Sequence, residues 1–293
     1  MIFKTRFAPS PTGPLHLGHA YSAMLAHDLA RSEDGQFLLR IEDIDQSRSR
    51  PHWEEQIYDD LRWLGLRWPE SVMRQSDRLA VYDRALDDLW ARGLLYPCTC
   101  NRKDIAAAAS APQEGAPLHG PDGIIYPGTC RGKRRDTQRP TDIPLRLDMA
   151  AAGRVLTGSA QPGAKVGSFH ESGAGPNGET GTIPFSLGEL TDTIGDVVLS
   201  RRDMGTSYHL SVVLDDAAQG ITHVVRGQDL FEATHIHVVL RALLGLPTPQ
   251  YLHHRLIRDD VGKRLAKRDD ARAISKYRAE GASPADIRAM VGL

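Results

Sequence analysis

The stretch RFAPSPTGPLHLGH, residues 6–19, sets the fold of the first unit of this chain. An apolar run at Ile2 to Phe7 has the length of a β-strand, and the three prolines that follow exclude a helix before about His16. Beyond His16, apolar residues recur at helical spacing up to a turn at Ser32 to Gly35. We therefore predict a strand, a rigid turn and a helix whose first turn carries His16 and His19.

The alternation of strand and helix continues from there and returns near the end of the chain. A strand at Phe37 to Ile41 is expected to carry Glu42 at its carboxyl end. The second half has a strand, a helix and a strand at Ile221 to Val225, about Leu230 to Leu244, and Tyr251 to Ile257. Alternating strands and helices form parallel sheets, which bind ligands at the carboxyl ends of their strands. The predicted fold class is α/β, with a Rossmann-type nucleotide-binding sheet.

Turn and cap residues mark the ends of further helices. Pro51 stands where a helix can begin, Ser76 is expected to cap the next helix and Gly93 to end it. Near the end of the chain, Gly281 separates two helical patterns, and Ser283 caps the second. We predict a short C-terminal helical segment there.

Composition bounds the class of protein. With 293 residues the chain exceeds one average domain, and a hydrophobic fraction of 41% with a charged fraction of 25% excludes a disordered, coiled-coil or collagen-like chain. A formal net charge of -1 means that any nucleic acid must be held by a local basic patch. We expect a soluble cytoplasmic protein with no membrane partner, because no apolar run reaches the roughly 18 residues of a membrane span.

The regular alternation breaks down in the middle of the chain. An alanine- and proline-rich stretch at Ala106 to Pro117 and five glycines between Gly167 and Gly181 predict an inserted subdomain with mobile loops. We therefore expect two halves of one nucleotide-binding domain, an insertion between them, and a basic loop followed by terminal helices. These parts correspond to residues 1–96 and 187–257 for the halves, 97–186 for the insertion and 258–293 for the terminal part.

Two basic segments are candidates for phosphate binding. His16 and His19 lie at a helix start, where free N–H groups and the helix dipole attract phosphate, and Gly18 lets a ligand approach the backbone. The loop GKRLAKR, residues 262–268, follows the last strand and is suited to reach a triphosphate. Taken alone, the first segment is also typical of a solvated helix end and the second of a basic surface loop.

Together, the two segments resemble a known family. HLGH at residues 16–19 and RLAKR at 264–268 resemble the HIGH and KMSKS signatures of class I aminoacyl-tRNA synthetases. RFAPSPTG at residues 6–13, RIEDID at 40–45 and THVVRG at 222–227 are similar to the glutamyl-tRNA synthetase group. The resemblance spans nearly all of the chain outside the insertion and implies a class I synthetase catalytic domain.

The resemblance implies a role for particular residues. It implies that His16, His19 and Lys267 are catalytic. It also implies that these three residues and Gly18 bind ATP, which is used together with Mg²⁺. Glutamate binding is implied for Arg6, Phe7, Ala8, Pro9, Ser10, Glu42, Tyr208 and Arg226. The residue types agree with that ligand, because a guanidinium pairs bidentately with a carboxylate and an acid pairs with an ammonium group. Arg6 and Arg226 fit the first requirement and Glu42 the second.

Three neighbouring positions have competing interpretations. Tyr208 is also typical of a core aromatic residue, and its flanking residues match the family only loosely. Asp215 and Asp216 could contact a ribose, but we expect them in a solvated turn.

The cysteines form a second candidate site. Cys98, Cys100 and Cys130 lie within 33 residues, which is too few thiols for a disulfide framework but suits a structural zinc site. Three incidental buried thiols are the alternative. The family resemblance supplies Tyr126 as the fourth ligand, and His119 is a local competitor for that position.

The acceptor follows from the resemblance and from chain length. Only 25 residues follow Arg268, which is too few for a helical anticodon-binding region. The chain thus resembles the short members of the group, which activate glutamate without tRNA and esterify it to the queuosine base in the anticodon of tRNA(Asp). The densest basic patch lies in the inserted, tRNA-contacting part and comprises Arg131, Lys133, Arg134, Arg135 and Arg139. It could contact phosphates or be a solvated loop.

Three alternatives stay open. An ordinary glutamyl-tRNA-type ligase would charge an acceptor end. Another class I nucleotidyltransferase would share the His-x-x-His helix start without needing Arg6 and Glu42. A catalytically inactive, RNA-binding paralogue is suggested only by Ala266, where the family usually has serine.

Overall fold

A computed structural model describes residues 2–109, 119–121, 123–133, 136–258 and 272–293. The α-helices of these residues are α1 (Leu17–Ser32), α2 (Pro51–Trp63), α3 (Leu79–Ala91), α4 (Arg102–Ala109), α5 (Met149–Thr157), α6 (Leu187–Glu189), α7 (Tyr208–Gln219), α8 (Ala233–Leu243), α9 (Ile274–Ala279) and α10 (Pro284–Val291). The strands are β1 (Lys4–Phe7), β2 (Gln36–Ile41), β3 (Met73–Arg74), β4 (Leu95–Pro97), β5 (His119–Gly120), β6 (Gly123–Ile124), β7 (Leu145–Leu147), β8 (Lys165–Glu171), β9 (Gly181–Ser186), β10 (Val198–Ser200), β11 (His223–Gly227) and β12 (Gln250–His254).

Parallel pairing dominates the part of the fold that carries the candidate site. Strand β2 pairs in parallel with β1 and β3, and β12 pairs in parallel with β11 and β8. The two groups meet at β1 and β11, where the backbone N–H of Thr222 donates to the carbonyl of Lys4 at 3.1 Å. The carboxyl ends of β1, β2, β11 and β12 therefore share one edge, as the α/β prediction requires. The predicted fold class is confirmed.

Several predicted helix ends are confirmed. Helix α1 begins directly after His16, α2 begins at Pro51, and the backbone N–H of Gly93 donates to Trp90 with Gly93 in the left-handed region, which ends α3. At α10, the Ser283 hydroxyl accepts from the Asp286 N–H while the Asp286 carboxylate accepts from the Ser283 N–H.

One predicted cap is wrong. Ser76 lies in a 3₁₀ turn at Gln75–Arg78, and α3 begins only at Leu79. The N–H and hydroxyl of Ser76 donate instead to the carboxylate of Asp43, at 2.9 and 2.7 Å. The side chain is thus used to attach this turn to the segment that follows β2, and it is not available to the helix.

The middle of the chain is more regular than its composition predicts. The glycine-containing segment expected to be a loop is one end of an antiparallel hairpin. Gly167 lies in β8 and Gly181 in β9, while residues 172–180 form the irregular connection between them, and β8 extends the sheet beside β12. Strand β7 pairs with both β4 and β10. Residues 106–109 belong to α4, whereas residues 110–118 lie outside the described part of the chain. Strand pairing therefore joins much of the insertion to the two halves around it.

The apolar interior has two main clusters. One packs β1 and β2 against α1, α2 and α10, with fully buried Leu15, Met24, Ile41 and Leu61 among its members. The larger one lies among α3, α5, α7, α8 and the β8–β9 hairpin. In the described residues, no helix is long and apolar enough to cross a membrane.

Candidate active site and metal centre

A cavity of about 570 Å³ opens at the shared carboxyl edge of β1, β2, β11 and β12. It is lined by every predicted ligand-binding residue that the structure describes, namely Arg6, Phe7, Ala8, Pro9, Ser10, His16, Gly18, His19, Glu42, Tyr208 and Arg226. Lys267 lies outside the described residues. The structure thus brings these side chains together, while their individual roles stay a prediction.

The two histidines at the start of α1 have defined tautomers. Nδ1 of His16 accepts from the N–H of Gly18 at 3.1 Å, and Nδ1 of His19 accepts from the N–H of His16 at 3.2 Å. A ring nitrogen that accepts carries no proton, so the neutral rings hold their proton on Nε2. The rings lie 3.7 Å apart, and both line the cavity. The pair therefore offers two N–H donors at a helix N-terminus, which suits phosphate oxygens.

Gly18 serves the histidine pair directly. A Cβ at this position would lie 3.0 Å from Cε1 of His16, which is tighter than ordinary van der Waals contact. The sequence-based explanation was room for a ligand beside the backbone. The structure shows that the room at this Cβ position is taken by the folded-back His16 ring.

Arg6 is held by a buried carboxylate beneath the cavity. Its Nε and Nη2 donate to the two oxygens of Asp216, at 2.9 and 3.3 Å. Arg40 approaches the same carboxylate, with Nη1 at 2.7 Å from Oδ1 of Asp216, and its Nη2 donates to Glu42 at 3.0 Å. Burial opposes ionisation of Asp216, but Arg6 and Arg40 outweigh it and hold the pKa of this carboxyl well below its usual range.

The prediction of a solvated turn at Asp215 and Asp216 is wrong. Both lie in α7 and are buried. Asp215 accepts from Tyr82 and from Gln75, and Nε of Arg78 donates to it at 2.6 Å. Two adjacent acids resemble a solvated surface in sequence, but here each is buried because it meets guanidinium groups from distant segments.

Arg226 is the second guanidinium of the cavity, and it is buried among neutral acceptors. Its Nε donates to Nε2 of His253 at 3.0 Å, and its Nη1 donates to Nδ1 of His237 at 3.1 Å. Its Nη2 donates to the hydroxyl of Thr234 at 2.7 Å and to the carbonyl of Leu230 at 3.1 Å. These contacts fix the plane of the guanidinium and, within the described residues, use four of the five N–H groups that an arginine has.

Glu42 and Tyr208 complete the polar lining. Burial raises the pKa of Glu42, although Arg40 and Arg6 act against that rise. Burial also raises the pKa of Tyr208. Glu42 can accept from an ammonium group, and the Tyr208 phenol, kept protonated, can donate to a carboxylate.

Around the cavity, buried guanidinium groups and carboxylates pair with one another. The guanidinium groups of Arg6, Arg40, Arg78 and Arg241 meet the carboxylates of Glu42, Asp215 and Asp216. Asp229 adds a further carboxylate to the lining of the cavity.

The residues on either side of the undescribed segment 259–271 lie at the cavity. Leu256 and Ile257 line it before the segment. After it, Ala273 bridges to His16, and the N–H of Ile274 donates to the carbonyl of Leu15 at 2.8 Å. The residues before this segment thus line the cavity, and those after it pair with the start of α1.

The three thiols form a compact cluster. The sulfur atoms of Cys98, Cys100 and Cys130 lie within 4.8 Å of one another, and Cys98 and Cys130 are buried. The Tyr126 oxygen lies 3.5 Å from Sγ of Cys98 and 3.3 Å from Sγ of Cys100. Such a group of three thiols and one oxygen, all converging on one point, could hold a metal ion and fits the tetrahedral preference of zinc.

Neighbouring donors act on two of the three thiols, Cys98 and Cys130, whereas burial raises the pKa of Cys100. Nε of Arg146 donates to Sγ of Cys98 at 3.3 Å, and its guanidinium stacks 3.9 Å above the Tyr126 ring. Burial raises the pKa of a thiol, yet hydrogen bonds from Tyr126, the Thr99 backbone and Lys133 lower the pKa of Cys130 to about 6. His119 lies in β5 and is not part of the group of converging ligand atoms, so the geometry favours Tyr126 for the fourth position.

The predicted basic patch is largely used within the fold. Arg139 pairs with Asp83 and Asp87, and Arg131 lies 2.8 Å from Asp196. Lys133 donates to Thr99 at 2.7 Å, and residues 134 and 135 lie outside the described part. Arg131 and Arg139 thus pair with the protein's own carboxylates, and phosphate binding by this patch stays a prediction.

The profile of one family matches most of the chain: tRNA synthetases class I (E and Q), catalytic domain, over residues 3–119 and 181–293. The chain is 63% identical over 295 residues to Glutamyl-Q tRNA(Asp) synthetase of Rhodobacter capsulatus, covering 99% of both chains. It is 42% identical to the protein of that name from Symbiobacterium thermophilum, covering 96% of this chain and 83% of the relative. The chain belongs to the class I tRNA synthetases of the glutamate and glutamine type and, within them, to the glutamyl-Q tRNA(Asp) synthetase family.

A solved structure shares the fold. The glutamate tRNA ligase of Elizabethkingia meningosepticum, crystallised in complex with its amino acid, superposes with a TM-score of 0.74 at 25% identity. The match covers 99% of this chain and 60% of the ligase, so this chain spans about three fifths of that protein's length. The family resemblance predicted from the sequence motifs is confirmed.

Sequence reasoning missed the residues that hold the cavity's arginines. Asp216 and Arg40 hold Arg6, while His237, His253 and Thr234 hold Arg226. The buried face of α8, on which Thr234 and His237 interrupt an apolar helix, was the available signal. Polar residues on such a face need buried partners, and Arg226 is one.

Proposed function

We propose that this chain uses ATP to activate L-glutamate without tRNA and then transfers it to the queuosine base at the anticodon wobble position of tRNA(Asp). One observation carries this function. Two buried, internally held guanidinium groups face a histidine pair at a helix N-terminus, in a chain that shares 63% identity with a protein of that name. The reaction class is that of a ligase of the aminoacyl-tRNA synthetase type.

Glutamate would be bound by the lining from β1, β2, α7 and β11. Arg6 and Arg226 would pair with the carboxylates, Glu42 with the ammonium group, and Tyr208 and the segment from Phe7 to Ser10 would complete the pocket. A site built of such fixed charges rejects a ligand that leaves them unpaired.

Activation needs no protein nucleophile, because the substrate carboxylate itself attacks the α-phosphorus of ATP. Its oxygen forms the new bond to phosphorus while the bond to the β-phosphate oxygen breaks and pyrophosphate leaves. The protein would align the two reactants and stabilise the negative charge that develops. His16 and His19 supply Nε2–H donors. Lys267 is proposed to add a cation, because its segment follows the cavity-lining Ile257 and precedes Ala273, which bridges to His16. Mg²⁺ is expected to accompany ATP.

The thiol cluster is proposed to hold one structural zinc ion. Cys98, Cys100 and Cys130 would be ligands, with Tyr126 as the fourth in preference to His119. When bound, zinc would stabilise the segment around β4, β5 and β6, because a structural zinc site contributes folding energy. Its four protein ligands would leave no coordination position for a substrate.

The division of the chain also belongs to the proposal. Residues 1–96 and 187–257 would form the catalytic halves, 97–186 the inserted zinc-bearing and tRNA-contacting part, and 258–293 the loop and terminal helices. The support is the placement of the thiol cluster within 97–186, whereas the pairing of β8 with β12 ties that end of the insertion to the catalytic sheet.

Pyrophosphate exchange tests this function directly. With L-glutamate, ATP and Mg²⁺ but no tRNA, purified protein should exchange labelled pyrophosphate into ATP. Glutamine lacks the side-chain charge and aspartate is one methylene shorter, so both should support exchange far less. Arg278→Gln, which changes an exposed ion pair with Asp59, should behave as wild type. Equal exchange with glutamine, or none with any amino acid, would contradict the proposal.

A further inference from the structure

A buried carboxylate lies behind Arg226, outside the lining of the cavity. We propose that Glu171 is a positioning residue that acts through His253 to orient Arg226 for glutamate. The inference rests on the proposed function, in which Arg226 binds the amino acid. It adds a residue that touches neither glutamate nor ATP, and that comes from a strand which the family profile does not match.

The contacts form a continuous buried chain. Glu171 is fully buried, and its Oε2 accepts from Nδ1 of His253 at 2.5 Å. Its Oε1 accepts from the backbone N–H of His253 at 2.9 Å and from that of Gly173 at 2.8 Å. On the far side of the ring, Nε2 of His253 accepts from Nε of Arg226 at 3.0 Å. One carboxylate thus fixes both the ring and the backbone of His253.

The direction of each hydrogen bond follows from the chemistry of its partners. An arginine Nε can only donate, so Nε2 of His253 must be unprotonated. An ionised carboxylate can only accept, so Nδ1 of His253 must carry the proton. Glu171 therefore selects the one neutral tautomer of His253 that can accept from Arg226. Burial opposes ionisation of Glu171, but its bonds to His253 lower the pKa of this carboxyl, in keeping with an ionised group.

The same geometry excludes a positively charged ring. An imidazolium would carry protons on both nitrogens and would direct an N–H at the Nε–H of Arg226. Burial lowers the pKa of His253, and the charge of Arg226 adds to that effect against the pull of Glu171. His237 follows the same rule on the other side of the guanidinium, since its Nδ1 accepts from Nη1 of Arg226 and burial holds its pKa well below the usual value.

Glu171 lies on a strand whose following turn is hydrogen-bonded to β12. It ends β8, which lies between the matched family segments 3–119 and 181–293. The turn after β8 is bound to β12, because the N–H of Ser172 donates to Tyr251 at 2.8 Å and that of Ala174 to His253 at 3.1 Å. A Cβ at Gly173 would lie 2.4 Å from the His253 carbonyl oxygen, so the glycine permits this close approach. The hairpin thereby brings a carboxylate to a histidine of the catalytic sheet.

Loss of this orientation should weaken the binding of glutamate more than the binding of ATP. If Nε of Arg226 loses its acceptor, a buried donor is left unsatisfied and the guanidinium must turn to find another. Glutamate binding depends on that orientation, because it sets the direction of the one N–H group of Arg226 that these contacts leave for a carboxylate. ATP, which we assign to the His16 and His19 end of the cavity, makes no demand on Arg226.

The test is the variant Glu171→Gln, which keeps size and one oxygen. Its amide NH₂ would replace Oε2 and present a donor to Nδ1 of His253, forcing the proton to Nε2, where it opposes Arg226. In pyrophosphate exchange we expect the KM for glutamate to rise about 10-fold, as when the partner that orients a ligating residue is lost. The KM for ATP should stay within about twofold. Glu179→Gln, on the turn of the same hairpin, is the matched control and should change neither value.

A spectroscopic readout separates positioning from general support. Long-range ¹H–¹⁵N spectra of the wild-type protein should show His253 neutral and protonated on Nδ1, and in Glu171→Gln protonated on Nε2. A wild-type His253 protonated on Nε2, or on both nitrogens, would overturn the inference even if the variant did not fold. So would a variant whose two KM values are unchanged, or whose two KM values rise together. Absence of glutamate-dependent exchange in the wild type would refute the proposed function instead, while the tautomer would still report on the Glu171 contact.

Discussion

The cavity and the thiol cluster hold their polar groups in opposite ways. In the cavity, Arg6 and Arg226 come from strands that are far apart in sequence, and each is already bonded to the chain's own acceptors, Asp216 and His253 among them. In the cluster, three thiols and a phenol that lie close in sequence have mainly one another and Arg146 as partners. The cavity is therefore organised by the fold before a ligand arrives, whereas we expect the cluster to be organised by a metal.

The difference teaches where each site is vulnerable. A preorganised site stabilises charge without rearranging. Its groups are held by buried ion pairs such as that of Arg6 with Asp216, and burying these charges carries a desolvation cost. A metal cluster in a short segment contributes stability only when the metal is present. Changes beneath the cavity should thus lower the stability of the sheet, and changes in the cluster should act through metal content.

Loss of the metal should have the largest effect. Protein purified without chelator is expected to contain one zinc ion per chain, and Cys130→Ser should reduce this to near zero. Structural zinc binding contributes on the order of 10–16 kcal/mol in small metal domains, so the segment around the cluster should become sensitive to protease while the sheet that contains β8 and β9 stays folded. Elemental analysis and limited proteolysis measure both, with Thr129→Ser as the neighbouring control. Wild-type protein without zinc would contradict the expectation that a metal organises the cluster.

Breaking the charge network beneath the cavity should be the next largest effect. Asp216→Asn removes the buried counter-ion of Arg6 and one of the counter-ions of Arg40, and should lower the free energy of unfolding by about 3–5 kcal/mol. Asp59→Asn removes an exposed partner of Arg278 and should cost less than about 1 kcal/mol. Urea denaturation at pH 7 compares the two. Equal losses in the free energy of unfolding would mean that the ion pairs beneath the cavity contribute no more to stability than an exposed ion pair does.

The predicted cation over the phosphates should affect rate and leave stability unchanged. Lys267→Ala is expected to slow glutamate activation by about 10²–10³-fold, the usual loss for one preorganised donor to a transition state. Lys276→Ala, in the exposed last turn of α9, is the control and should exchange pyrophosphate normally. A wild-type rate in Lys267→Ala would assign the contact to Lys263 or Arg264.

Another buried aspartate, Asp60, gives the smallest effect and the opposite sign. Burial, with Asp59 nearby, raises the pKa of Asp60 to about 6. A pKa raised by folding contributes stability that is fully present below the unfolded value near 3.8 and is lost as the pH rises through about 6. Asp60→Asn should therefore be neutral at pH 3.5 and stabilising at pH 8 by about 1–2 kcal/mol, after allowance for solvent screening. Destabilisation at pH 8 would show that Asp60 has a counter-charge, as Asp216 has.

The sequence was sufficient for the residues that line the cavity but not for those that support them. Arg6, His16, His19 and Glu42 are contiguous with strand ends and a helix start, so local patterns and the family motifs locate them. Asp216 accepts from Arg40 across 176 positions and from Arg6 across 210, and no local pattern reports such a pairing. A buried acid and a solvated acid look alike until the fold brings a guanidinium to one of them.

The insertion shows a second limit. Glycine-rich composition predicted loops, yet the β8–β9 hairpin forms because β12 offers an edge to pair with and because Gly173 allows close approach to His253. Composition reports what a segment tolerates, whereas pairing depends on the neighbour that the rest of the chain supplies. The thiol cluster was predictable because its ligands lie within one segment of 33 residues.

The transfer reaction tests the central claim most directly. Purified protein is given ATP, Mg²⁺ and labelled L-glutamate with tRNA(Asp) from cells that make queuosine, and in parallel with tRNA(Asp) from cells that cannot. We predict label on the first tRNA only, retained after the 3′-terminal ribose has been removed and released when the queuosine ester is hydrolysed. Label on both tRNAs, or label lost with the 3′-terminal ribose, would contradict the account and indicate a ligase that charges the acceptor end.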